Sequence, residues 1–475
     1  MLTYSFENTG SDSLYEYLYK CIKNDILKGN LIPGYKLPSK RSFAKNLGIS
    51  TITIENAYEQ LIAEGYIYSV PKKGYYVCDI SNVQHELSKS DDDNFSITYK
   101  VPESMNEYNS KKIYPYNLAS NHTNANNFPF FTWTKLMKDI IADRSDDLLT
   151  PSPVGGVAEL RYAIAKHLAE FRGMNVSPEQ IIVGAGTEYL YGLLIILLGR
   201  DKIFAVEDPG YPKIELIYKS NNVKCSCIGL DNEGIDVKAL EDSGSDILHL
   251  SPSHHFPTGI VTPISRRYEI LGWASKKNSR YIIEDDYDSE FRLLGKPIPS
   301  LQSIDVSDKV IYMNTFTKSL MPTIRISYMV LPFRLLELFK EKLGFYSCTV
   351  SNFEQYTLAK FISEGHFEKH INRMRIFYRN QRDELITEIE KSPLSKLVTI
   401  QEENAGLHFL MTVDTDLTDE ELIKRAEDKG LKIRCLSQYY VNKNNAQMHT
   451  LVINYSGISV ENISRAVQIL YECVR

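Results

Sequence analysis

Short runs of branched apolar residues recur between positions 181 and 313: Ile181-Ile-Val-Gly, Ile203-Phe-Ala-Val, Ile247-Leu-His-Leu, Tyr281-Ile-Ile-Glu and Val310-Ile-Tyr-Met. Each is too short for a helix and apolar at successive positions, the pattern of a strand covered on both faces. Helical periodicity occupies the intervals, as in Glu159 to Phe171 and Glu188 to Leu198. Buried parallel strands separated by helices predict an α/β sheet carrying helices on both faces. Sites on such sheets lie beyond the strand ends, and that is where the polar residues of this chain gather.

At 475 residues the chain exceeds the usual limit of a single core, so two or more domains are expected. A composition 43% hydrophobic and 24% charged is that of a soluble globular protein. The longest apolar run, Leu190 to Leu198, is too short to span a bilayer, and the N-terminus has no signal-peptide pattern; no membrane partner is expected. Seven scattered cysteines have neither zinc spacing nor the look of a disulfide framework, so no metal is expected and a cytoplasmic location fits. The formal charge of -6 does not favour nucleic acid, yet a small basic module can hide in that average.

Such a module is legible at the N-terminus. Leu14, Leu18, Ile22 and Ile26 fall at helical spacing, and Gly29, Pro33 and Gly34 end that helix. A second helix runs within Leu37 to Gly48, with Ser39 as N-cap and Gly48 as stop. A third follows Ser50 and collects Ile54, Ala57, Tyr58 and Leu61 on one face, leaving Thr51, Thr53, Glu55 and Asn56 on or near the other. Two short helices around a glycine turn make a helix-turn-helix, whose second helix enters a major groove with its first residues at base edges. Ser50, Thr51, Thr53 and Asn56 are the candidates there. Gly65 to Val77 then reads as two strands around Pro71-Lys-Lys-Gly74, a wing tipped with Lys72 and Lys73. Those lysines, with Lys40 and Arg41, are candidate phosphate contacts on double-stranded operator DNA. The local charge is only mildly positive, so affinity should depend on dimerisation. Residues 1–80 form this module, 81–112 a polar flexible linker with one strand-like stretch at Phe95 to Tyr99, and 113–475 the large domain. Phe333 to Arg475 reads as long helices followed by strands such as Leu407 to Met411 and Thr450 to Asn454, a smaller α+β part.

Tyr312-Met-Asn-Thr-Phe-Thr-Lys318-Ser-Leu-Met-Pro-Thr-Ile-Arg325-Ile-Ser-Tyr-Met-Val330 begins and ends in apolar β-type runs. A lysine inside such a segment is placed rather than merely solvated. Burial lowers its pKa, and a neutral amine forms a Schiff base with an aldehyde. Thr315, Thr317, Ser319 and Arg325 make a cluster suited to a phosphate dianion. Amine and phosphate cradle together describe pyridoxal phosphate. Upstream, Gly184-Ala-Gly-Thr-Glu188 closes a strand and opens a helix whose N-terminus suits a phosphate. Tyr211, in Glu207-Asp-Pro-Gly-Tyr, can stack on an aromatic ring; Asp285 can hold a pyridine nitrogen protonated, and Tyr287 can bond a ring hydroxyl.

In this order these segments resemble the fold type I aminotransferases, over about Tyr114 to Arg475. The Pro-Gly-x-x-Leu-Pro-Ser-x-Arg opening and the Gly65-Tyr-Ile before the wing resemble the winged-helix domain of the GntR family, over roughly Asp12 to Val77. The combination resembles the MocR/GabR subfamily of bacterial transcription regulators, as do Ser253-His-His-Phe-Pro-Thr-Gly259 and Thr317-Lys-Ser-Leu-Met-Pro322. That resemblance implies Lys318 as the Schiff-base lysine, Tyr211 as the stacking residue, Asp285 as the partner of the pyridine nitrogen and Tyr287 near the ring hydroxyl. It implies Gly186, Thr187, Thr315 and Arg325 as phosphate contacts, and a head-to-tail homodimer. Two positions depart from the enzymes of this fold. Phe256 stands where they commonly have an asparagine before Pro-Thr-Gly, and Val452 where amino-acid aminotransferases place a carboxylate-clamping arginine. Lys213 or Arg434 are the candidate substitutes. The expectation is a regulator sensing pyridoxal phosphate itself, or a small amino compound reacting with it. The other reading is an active aminotransferase with an accessory DNA-binding module.

Overall fold

The computed structural model describes residues 2–6, 12–80, 114–119, 127–293, 298–402 and 406–475. The chain divides into two compact units, Met1–Lys111 and Lys112–Arg475. The expected linker and its strand-like Phe95 to Tyr99 lie outside the described residues.

In the first unit three helices, α1 (Leu14–Leu27), α2 (Lys40–Leu47) and α3 (Thr51–Ala63), precede a hairpin of β1 (Ile67–Val70) and β2 (Gly74–Val77). The caps are those the sequence specifies. Ser39 Oγ accepts the amide of Ser42 at 3.2 Å and Ser50 Oγ that of Thr53 at 3.1 Å, each worth about 1 kcal/mol. Gly48 ends α2 in the left-handed region, at φ 66°. Leu18, Ile22, Phe43, Ile54, Tyr58 and Leu61 meet in one core, and the hairpin pairs Ile67 with Val77 and Val70 with Gly74. This is a winged helix-turn-helix.

The second unit begins with β3 (Tyr116–Asn117) and helices α4 (Phe130–Asp143), α5 (Ser145–Leu149) and α6 (Ala158–Arg172). The sheet region follows: β4 (Ile181–Gly184), α7 (Thr187–Leu198), β5 (Ile203–Asp208), α8 (Pro212–Ser220), β6 (Lys224–Asp231), β7 (Gly234–Ile235), α9 (Val237–Asp242), β8 (Ile247–Leu250), α10 (Ile264–Ser275), β9 (Tyr281–Asp285), β10 (Val310–Thr315), the single turn α11 (Phe316–Ser319) and β11 (Ser327–Val330). The eight strands lie in the order β4-β11-β10-β9-β8-β5-β6-β7. Alternation along the strands divides the core between the faces. Ile311 and Met313 join Leu190, Leu194 and Phe204 in one cluster, while Val310 packs with Ile282 and Trp273, and Tyr312 with Ile164 and Tyr378, in others.

Two features differ from the parallel sheet expected from the sequence. β11 runs antiparallel to both β10 and β4. Only eleven residues separate Thr315 from Ser327, fewer than a parallel crossover takes. β6 was not foreseen, because only Ile228 in it is fully buried and Lys224, Ser226 and Asp231 break the apolar run.

Beyond the sheet come α12 (Phe333–Leu343), α13 (Asn352–Ser363), α14 (His366–Lys391), β12 (Val398–Gln401), β13 (His408–Val413), α15 (Asp419–Asp428), β14 (Leu431–Lys432), β15 (Thr450–Asn454) and α16 (Val460–Val474). β12, β13 and β15 form an antiparallel sheet, and β14 pairs with β3. The smaller α+β part starts later than Phe333, since Leu335, Phe339 and Leu343 of α12 pack into the large-sheet cluster with Ile182 and Leu190. An amphipathic stripe names a buried face but not what covers it.

One buried ion pair holds the loop after β9. Arg172, the last residue of α6, lies 3.0 Å from Asp286, with side chains 2% and 1% exposed. Asp286 also accepts hydroxyls from Tyr312 at 2.5 Å and Ser289 at 2.8 Å. Arg172→Ala leaves that carboxylate buried without its cation and should destabilise the unit by about 3–5 kcal/mol. Both tryptophans, Trp133 and Trp273, belong to this unit, so the urea midpoint of tryptophan fluorescence reads the loss directly; an unchanged midpoint would show the pair to be dispensable.

Candidate functional site

A cavity of about 560 Å³ opens beyond the C-terminal ends of the parallel strands. Thr187 lines it from the start of α7, Tyr211 and Lys213 from the turn after β5, Asp285 and Tyr287 from the end of β9, and Thr315, Thr317 and Lys318 from the end of β10. Because β11 is antiparallel, its N-terminal end reaches the same edge and brings Arg325 with it. Gly186 caps α7 at φ 92°, and a Cβ there would run into the Arg325 guanidinium. That approach therefore requires glycine.

Lys318 lies in the α11 turn. Burial pushes its amine down to about 8, against a weaker opposing pull from Asp288, so the neutral form is far more populated near neutral pH than for an ordinary lysine. Asp285 is 7% exposed. Its Oδ2 accepts the Tyr191 hydroxyl at 2.6 Å and lies 3.6 Å from His249 Nε2. Tyr218 stands behind that histidine, its hydroxyl 2.7 Å from Nδ1. The second oxygen, Oδ1, is buried without a hydrogen-bond partner among the described residues. A buried carboxylate oxygen in that condition calls for a donor, and the protonated ring nitrogen of pyridoxal phosphate is one. Burial also pushes Glu207 up to about 8, neutral at pH 7, its Oε2 accepting the amide of Ser251 at 2.9 Å.

The candidate phosphate residues are assembled only in part. Thr187, Thr315, Thr317 and Arg325 line the cavity, but Ser319 does not. It is 1% exposed, with its carbonyl 3.0 Å from His370 Nε2, because one helical turn places successive side chains on different faces. Thr315 Oγ1 accepts the amide of Thr317 at 3.2 Å and the hydroxyl of Ser327 at 2.8 Å, which fixes the turn carrying Lys318. Tyr287 lies 3.1 Å from His254 Nδ1 through its hydroxyl. Tyr211 is 50% exposed and meets Phe256 edge-on at 6.1 Å.

The opposite wall comes from Asn117, Ala119, Lys432, Arg434, Tyr439, Val452 and Asn454. Val452 packs with Leu410, Leu436 and Tyr439, and Phe256 lies against them. Val452, the position where the resemblance puts an arginine clamp in amino-acid aminotransferases, is thus part of an apolar patch. Lys213 pairs with Glu188, which also lies 3.6 Å from Arg325. Lys432 and Arg434 have no carboxylate at ion-pair distance among the described residues. Tyr191, Tyr218, Glu207, Lys432 and Asn454 were missed from the sequence. His249 had a signal, a polar residue inside a buried strand; Tyr191 and Tyr218, in ordinary helices, had none.

In the first unit, Thr51 and Asn56 are exposed on α3, Arg41 on α2, and Lys72 and Lys73 on the wing turn. Ser50 and Thr53 share a hydroxyl hydrogen bond of 2.8 Å. Lys40 is engaged by Glu55 at 2.5 Å and lies over the Tyr75 ring, so it is not a free cation.

The comparisons agree with this geometry. The family model for aminotransferase class I and II matches residues 116–470, and that for bacterial regulatory proteins of the gntR family matches residues 14–77. An uncharacterized HTH-type transcriptional regulator of Bacillus subtilis, YdeL, is 38% identical over 96% of this chain and 95% of its own. The HTH-type pyridoxine biosynthesis transcriptional regulator PdxR of Corynebacterium glutamicum is 28% identical over 90% of this chain and 89% of its own. Among solved structures, a kynurenine aminotransferase of Pyrococcus horikoshii superposes with a TM-score of 0.67 at 24% identity, over 83% of this chain and 98% of its own, which speaks for the fold. The cofactor is pyridoxal phosphate, which suits the lysine of lowered pKa and the orphaned carboxylate oxygen. With a GntR-type winged helix at one end and an aminotransferase class I and II domain filling the rest, the chain belongs to the family of HTH-type transcription regulators built from these two parts.

Proposed function

We propose that the large domain acts as a sensor whose occupancy by pyridoxal phosphate sets how a homodimer in the cytoplasm holds its two winged helices on operator DNA. The observation that carries this is the pairing of an intact cofactor set with an apolar patch where a substrate clamp would stand. Lys318 would hold the cofactor through its amine, Asp285 would accept from the pyridine nitrogen, Tyr211 would stack on the ring and Tyr287 would bond the ring hydroxyl. Gly186, Thr187, Thr315 and Arg325 receive the phosphate. When bound, the cofactor supplies an electron-withdrawing ring and a carbon that amines attack. Val452 and Phe256 provide no charge to orient a carboxylate, and misplacement by even ~1 Å can cost about 100-fold in rate. Steady-state transamination is therefore not the function.

The homodimer of this reading is head-to-tail, and Phe131, Leu149 and Phe345, 85%, 84% and 80% exposed, are apolar side chains it could cover. On the DNA side, Arg41, Lys72 and Lys73 contact phosphates, and Ser50, Thr51, Thr53 and Asn56 lie at or near base edges. A second effector reading has its own observation. The wall opposite Lys318 offers two cations, Lys432 and Arg434, and no carboxylate, so a small amino compound with an acidic group can extend from the cofactor toward them.

Two outcomes follow. Full-length protein stripped of cofactor should change its operator affinity severalfold as pyridoxal phosphate is added, and Lys318→Ala should not respond. Equal affinity with and without cofactor in the wild type would leave the cofactor structural. The pH dependence has a fixed sign. The amine's folded pKa, about 8, lies below its ordinary 10.5, so the proton favours the unfolded chain, and the penalty of a charged buried amine, fully present below pH 8, is lifted as pH rises toward 10.5. Covalent capture of pyridoxal phosphate should rise through a midpoint near pH 8, with borohydride reduction placing the label on Lys318 by peptide mapping. A midpoint near 10.5, or a label elsewhere, contradicts the assignment.

A further inference from the structure

The groove-facing surface of α3 has an unusual chemistry for a helix that reads DNA. Its sequence, Thr51-Ile-Thr-Ile-Glu-Asn-Ala-Tyr-Glu-Gln-Leu-Ile-Ala63, contains no lysine or arginine. The core takes Ile54, Ala57, Tyr58 and Leu61, which leaves Thr51, Ile52 and Asn56 exposed in the first two turns and Glu59, Gln60, Ile62 and Ala63 beyond them, with the Gln60 amide donating to Glu64. Glu55 is tied to Lys40, and the Thr53 hydroxyl is tied to Ser50 at the cap. The commonest specific major-groove contact, a cation held bidentate on guanine, is therefore unavailable from this helix.

In the first two turns Thr51 can bond to more than one base, and two groups remain with a base preference of their own. Asn56 carries an amide that fits the N6 and N7 edge of adenine. Ile52 carries a bare aliphatic side chain, 66% exposed, in the first turn of the helix and one turn before Asn56. Single exposed apolar residues are common on protein surfaces and by themselves say nothing. Here the position argues for a role. The first turn of the second helix of a helix-turn-helix is the part that meets base edges, and the only apolar group a major groove presents is the thymine 5-methyl. We propose that Ile52 is a specificity-determining residue that packs on a thymine methyl, so that α3 selects an A·T-containing half-site with no guanine read by a cation of its own.

The test uses the full-length protein with pyridoxal phosphate. Duplexes are selected from a random library by wild-type protein and by Ile52→Ala, and each thymine of the wild-type site is then replaced singly by uracil, which removes only the methyl. One thymine per half-site should stand out, its replacement weakening wild-type binding about fourfold, the worth of one buried methyl. Ile52→Ala should lose a similar factor on the thymine duplex and be indifferent to uracil at that position. Because Ile52 is exposed, its thermal unfolding should match wild type. The proposal is overturned if uracil is neutral at every position, if Ile52→Ala keeps the wild-type sensitivity, or if the selected half-site has no fixed thymine. Loss of all duplex binding by the wild type would instead strike the DNA-binding reading on which the proposal rests.

Discussion

Burying an amine disfavours its charged form, and the edge of the large sheet holds Lys318 half-buried in the cavity wall. The one-turn α11 after β10 holds the lysine where burial brings it to about 8. Thr315, Ser327 and Thr317 fix that turn through their hydroxyls and an amide. The Arg172–Asp286 pair fixes the neighbouring loop, next to Asp285, a cavity-lining residue whose Oδ1 has no hydrogen-bond partner among the described residues. The antiparallel β11 supplies Arg325 from the opposite direction. An amine of lowered pKa, an orphaned acceptor and a cationic cradle thus depend on the same few strand ends.

The same edge explains what the site withholds. Orienting a substrate carboxylate takes a cation at a defined place, best as a bidentate guanidinium. In this chain the position that the resemblance matches to that cation is Val452, within an apolar cluster with Phe256 against it. A ligand that prefers one arrangement of a dimer shifts its population without any chemical turnover. A cavity that keeps its cofactor and holds substrates loosely is suited to that use.

Much of this was legible in the sequence, for physical reasons. The caps Ser39, Ser50 and Gly48 act locally, so their residue types name their places. The buried strands announce themselves as branched runs, and Lys318 stands out because a lysine between two such runs has nowhere ordinary to go. What stayed hidden depends on contacts across the fold. Ser319 and Thr317 look alike in sequence, yet one turn of helix sends the first into the core and the second to the cavity. Lys40 looks like a free cation until Glu55, fifteen positions on, is found beside it. β6 is too polar for its period to show, and nothing in the helix containing Tyr191 says that its hydroxyl reaches Asp285.

The central claim is that the site holds its cofactor without turning over substrates. It is tested most directly by mixing the holoprotein with a panel of α-amino acids and a keto-acid acceptor and following product over many turnovers. No more than about one equivalent of product per site is expected, from a single exchange at Lys318 that cannot repeat efficiently without an oriented carboxylate. Sustained turnover with any ordinary amino acid would contradict it and make the domain a working aminotransferase.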